Sequence, residues 1–74
     1  MQRNIVAVWY RKKSPIWSQR YARVDTAIPR CSIHMMRGAE PGDVLALHHA
    51  VTGLDLGFIK MKVGAKMETH FIWD

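Results

Sequence analysis

Asn4–Lys12 opens the chain with β-branched and aromatic residues that are apolar on both faces. Ile5, Ala7 and Trp9 fall on one face, Val6, Val8 and Tyr10 on the other. Such a run reads as a strand that needs cover on both sides, from its own fold or from a second copy. Lys13-Ser14-Pro15 follows as a turn. Pro15 has no N–H to give to a ladder, so it suits the start of the next strand. Ile16–Val24 is that strand, alternating Trp17, Gln19, Tyr21 and Arg23 with Ile16, Ser18, Arg20, Ala22 and Val24. The two strands are expected to pair as a hairpin.

The period then changes. Ile28, Cys31, Met35 and Ala39 recur at spacings of three and four, which fits one face of a helix. The expected helix covers roughly residues 29–38, with Pro29 in its first turn, where a missing N–H is tolerated. Asp25 or Thr26 is placed to cap it. Gly38 and Pro41-Gly42 end it. The alternative is an irregular loop with one short strand through Ser32–Met36.

Alternation returns in the last third. Val44–Val51, Leu54–Val63 and Lys66–Trp73 read as three strands, joined by Thr52-Gly53 and Gly64-Ala65. Two-residue turns place Val51 opposite Leu54, His49 opposite Leu56 and Leu47 opposite Phe58. Across the next turn they place Leu56 opposite Trp73 and Phe58 opposite Phe71. Leu56, Phe58, Phe71 and Trp73 then share one buried face, and Phe58→Ala costs about 3–5 kcal/mol. Gly57 lies opposite His48 in this pairing. The whole reads as an α+β domain, β-β-α-β-β-β, with a mainly antiparallel sheet and one short helix packed on one face.

Composition narrows the picture. The 74 residues make a single domain, 1–74, and 49% of them are apolar, as in a folded chain rather than a disordered one. A chain this short buries only about 60% of its unfolded surface, so a homodimer would relieve a thin core. Cys31 is the only cysteine, so no internal disulfide forms and a cytoplasmic setting is expected. No apolar run approaches the length of a membrane span, and Ile5–Tyr10 is too short for the core of a signal peptide.

Few residues point to chemistry. Cys31 and His34 have acceptable zinc-ligand spacing, but no second Cys/His pair accompanies them. His48 and His49 are adjacent on a strand and so point to opposite faces, His49 toward the apolar one. His48 and His70 share the other face, about 10 Å apart across a strand. Neither a metal nor a cofactor is expected. Ser14, Ser18 and Ser32 have no identifiable base partner, and no phosphate loop or nucleophile elbow occurs, so the chain is not read as an enzyme.

Charge is the strongest functional feature. Residues 1–38 hold eight Lys/Arg against Asp25 alone, for +7, and residues 39–74 sum to −2, which together give the net +5. Interleaved with aromatic residues, such a block suits a polyanion. The expected nucleic-acid surface is Arg11, Lys12, Lys13, Trp17, Arg20, Tyr21 and Arg23, with cations on phosphates and Trp17 or Tyr21 stacked on bases. A β-ribbon that enters a DNA major groove is a further mode. The alternative is a protein-binding module, an inhibitor or adaptor in the style of small phage or mobile-element products. It would act through a sheet edge or a homodimer surface. Exposure of Trp9, Trp17 and Tyr21 separates the two: exposed rings favour nucleic acid, buried rings favour a protein.

Overall fold

The computed structural model describes residues 3–64 and 66–71. In chain order it contains β1 (Ile5–Arg11), β2 (Ser14–Tyr21), α1 (Val24–Gly38), β3 (Val44–His49), β4 (Asp55–Lys62) and β5 (Lys66–Phe71). The strands form one sheet, ordered β2-β1-β3-β4-β5, in which every neighbouring pair is antiparallel. The β-β-α-β-β-β order and the α+β class are those read from the sequence. No helix among the described residues is long and apolar enough to cross a membrane.

One face of the sheet carries the core. Ile5, Ala7 and Trp9 of β1, Leu45 and Leu47 of β3, and Ile59 and Met61 of β4 are buried there against Ala27, Cys31 and Met35 of α1. Those helix residues are spaced by four, so they form one stripe. Val6, Val8 and Tyr10 lie on the opposite face and are half-buried. Among the described residues no helix covers that face, so there β1 receives a helix layer on one side only.

The helix starts five residues earlier than the sequence suggested, which puts Pro29 in its second turn. Burial of Ala27 and packing of Val24 and Ile28 against the core outweigh the lost N–H. Neither Asp25 nor Thr26 is the cap. Arg23 occupies that position without a side-chain bond that caps the helix, and Asp25 sits in the first turn, where its charge suits the helix dipole.

Both turn-derived registers are off by one residue, which turns the faces over. A five-residue loop, 50–54, joins β3 to β4, and the His49 N–H donates to the Leu54 carbonyl at its end (2.9 Å). A bulge between Leu47 and His48 then adds one residue on β4. Leu47 therefore lies opposite Gly57, and Ala46 opposite Phe58. Lys62 pairs with Lys66, so three residues rather than two make the last turn. Phe58 pairs with His70, and Phe71 with Gly57, which puts Phe58 and Phe71 on opposite faces. Trp73 lies outside the described residues. His49 is not a core histidine either: its Nδ1 accepts the N–H groups of Val51 and Thr52 (both 3.3 Å) and closes the loop.

Gly57 is where the register is fixed. Its φ is +130°, and a Cβ there would lie 2.2 Å from the His70 carbonyl oxygen. Gly57→Ala should destabilise the domain by about 3 kcal/mol or more, from strain and overpacking together. Ile59→Ala, at a fully buried position, should cost about 2–5 kcal/mol. Phe58→Ala, half-buried on the uncovered face, should cost roughly 1–2 kcal/mol by the same burial reasoning. Urea melts of the three variants test the register, and a Phe58 variant costlier than the Ile59 variant would contradict it.

Candidate functional site: the edge strand β2

β2 is an outer strand of the sheet. Among the described residues only its inner side has a strand neighbour, so its outer backbone groups have no ladder partner there. The hairpin that delivers it turns at Lys12-Lys13, with φ of +52° and +67°, rather than at Lys13-Ser14-Pro15. This left-handed pair is the I′ turn that favours Asn-Gly. Two lysines stand there instead, at a cost in backbone strain. Pro15 pairs with Tyr10, and Ile16 is the extra residue of a bulge that precedes the Trp9–Trp17 pair.

A buried carboxylate holds the end of the hairpin. Asp43 precedes β3 and is 2% exposed. It accepts from Trp9 Nε1 (3.1 Å), from Arg11 Nη2 (2.9 Å) and from the Glu40 backbone N–H (2.9 Å). Arg11 also meets Glu40 Oε2 at 2.8 Å and donates to the Gly38 carbonyl (3.4 Å). Foremost the Arg11 hydrogen bonds hold the Asp43 carboxyl below the usual carboxylate range, against the effect of burial. Arg11 is therefore part of the frame and is not free to meet a ligand.

The rings expected on a binding surface face inward. Tyr21 is 9% exposed and Trp9 is 8%. Burial above all, then the neighbouring Cys31 thiol, pushes the Tyr21 hydroxyl up to about 12. Burial also raises the Cys31 thiol, which disfavours the nucleophilic thiolate. Trp17 is half-buried against the core, edge-on to Trp9 with centroids 6.3 Å apart. The His34 ring lies over it at 4.8 Å. Trp17 and Tyr21 face α1 because Trp9 and Ile5, their partners on β1, do so. Tyr21 is thus buried, and Trp17 is half-buried between Trp9 and His34. Arg23 lies outside the strand, at the helix cap, and pairs with Asp25 through contacts of 3.1 and 3.0 Å.

What remains around β2 is cationic. Among the described residues Arg3, Lys12, Lys13, Arg20, Arg30 and Arg37 make no ion pair. All are exposed. Arg20 lies on the uncovered sheet face, opposite Val6, and reaches only the Arg3 carbonyl (3.5 Å). Arg30, His34 and Arg37 stand on the helix at spacings of four and three. With Gln19, Tyr21 and Ile33 they line an open groove of about 470 Å³ between β2 and α1. The sequence reading missed this helix contribution, although the i, i+4, i+7 spacing of Arg30, His34 and Arg37 was visible.

No group of three or more His, Cys, Asp or Glu among the described residues is placed to hold a metal ion. Comparison with protein-family models, curated proteins and solved structures finds no match.

Two contrasts test this assignment of roles. Arg11→Ala leaves a buried carboxylate unpaired and should destabilise by about 3 kcal/mol, whereas Lys12→Ala should change stability by less than about 0.5 kcal/mol. Lys13→Gly should stabilise by roughly 0.5–1 kcal/mol by relieving the left-handed turn. Because the Asp43 carboxyl is depressed, its stabilisation is complete above the unfolded value of about 4 and is lost as pH falls through the folded value. Asp43→Asn should flatten the loss of stability between pH 6 and pH 2, read from melts at each pH.

Proposed function

We propose that this protein works by binding rather than by catalysis, in the cytoplasm, and that its partner is a protein docked along β2. The observation that carries this reading is the β2 edge itself: an outer strand with unpaired backbone groups, flanked on both sides by cations that no acid of the described chain neutralises. Inward-facing rings remove the stacking platform that a single-stranded nucleic acid needs. An open backbone edge, by contrast, is a feature that another polypeptide can use directly.

A nucleic-acid reading survives on a narrower basis. Arg3, Lys12, Lys13, Arg20, Arg30 and Arg37 would contact phosphates, without bases stacked on Trp17 or Tyr21. Titration of the folded protein with mixed-sequence DNA and RNA at increasing salt separates the two. The protein reading predicts no binding tighter than about 10⁻⁴ M at physiological salt, the weak end of unspecific attraction to phosphates. Micromolar affinity, with a log–log salt slope near −2.8 for about four phosphate contacts on single strands, would establish the nucleic-acid reading instead.

A further inference from the structure

We infer that the partner segment is an extended, acidic stretch of polypeptide that adds to β2 as a sixth strand and lays alternate side chains into the groove under α1. This inference rests on the protein reading and names the chemistry of its ligand.

Three observations carry it. The first is position: the groove between β2 and α1 runs beside an unpaired edge, so a strand hydrogen-bonded to β2 necessarily projects every second side chain into it. β5, the other outer strand, has no helix beside it among the described residues that would make such a groove. The second is charge. The groove presents Arg30, Arg37 and His34, and the opposite side of the edge presents Arg20. A second copy of this chain would bring its own β2 cations against these, so self-pairing along β2 is disfavoured and an acidic strand is favoured.

The third is spacing. Arg30 and Arg37 are seven residues apart on a helix, about 10.5 Å along its axis. Two side chains on one face of a strand are about 6.7 Å apart at positions i and i+2. Acids at i and i+2 thus fall within reach of both arginines, with His34 between them. Ile33, half exposed at 49%, supplies one apolar contact in the same groove. Pro15 has no N–H and Ile16 is bulged, so regular pairing is confined to the Trp17–Tyr21 stretch. The ligand strand is correspondingly short, about five or six residues, by the same rise per residue.

The test uses the full chain and a defined probe, an eight-residue peptide that alternates glutamate and threonine. Its controls are a lysine/threonine peptide and two forms of the glutamate/threonine peptide, each methylated on one of the two alternate sets of backbone nitrogens. Amide resonances of Trp17–Tyr21 should shift and their exchange should slow with the acidic peptide. Affinity should be at least tenfold weaker for the lysine peptide. It should also fall at least tenfold in Arg30→Glu/Arg37→Glu, whose exposed sites leave the fold intact by circular dichroism. Methylation of the nitrogens that face β2 should abolish the slowed exchange, whereas methylation of the alternate set, which faces away, should leave it in place. Equal binding of the methylated peptides would overturn strand addition while leaving a charge-based protein site at β2 standing. Absence of acidic-peptide binding at millimolar concentration also overturns the inference, and micromolar nucleic-acid binding in the same samples would remove the protein reading with it.

Discussion

The fold depends on a single buried carboxylate. Asp43 gathers the Trp9 indole, the Arg11 guanidinium and the Glu40 backbone at one point, beneath the exit of the helix. It joins the end of β1, the 39–43 connection and, through its carbonyl and the Met61 N–H (2.9 Å), the strand β4. A buried charge is costly unless its lone pairs are satisfied, and here the partners come from β1 and from the connection that leads into β3. Arg11 in turn reaches back to Gly38 at the helix C-terminus. At this end α1 is tied to β1 through Arg11, which Asp43 holds. At the other end Tyr21 of β2 packs with Cys31 of α1.

That frame explains how the charge is divided. Arg11 and Arg23 are consumed by the structure, one in the Asp43 network and one at the helix start. Lys62 is paired with Glu68 across β4 and β5 (2.6 Å). The cations left unpaired around β2 come from both ends of the hairpin and from the exposed side of α1. Two of them, Lys12 and Lys13, occupy backbone positions that favour Asn and Gly. Local preference and observed residue disagree there, so the turn holds backbone strain.

The order of elements was legible because runs such as Ile5–Arg11 and Val44–His49 announce strands on their own. The registers were not. Thr52-Gly53 looks like a two-residue turn, but the His49 imidazole closes a longer loop that no local pattern marks. Gly57 looks like a bare position in a strand, and only the bulge and its closeness to His70 explain it. The helix start was hidden by Pro29, whose local penalty the tertiary burial of Ala27 overrides. For the site, the alternation of Trp17, Gln19 and Tyr21 was plain, but which face would lie under the helix was not. The aromatic residues were therefore assigned to the ligand when they belong to the core. Arg30, His34 and Arg37 were overlooked because their meaning depends on the groove that only the packed helix creates.

Native-state amide exchange of the unliganded protein at low concentration tests the account most directly. If β2 is an open edge held on a rigid frame, alternate amides between Trp17 and Tyr21 exchange at nearly unprotected rates. The inward-paired amides of the same strand and the Trp9 indole N–H on Asp43 remain protected toward the global limit. Uniform protection along β2 would show that its edge is already covered, and would contradict the account.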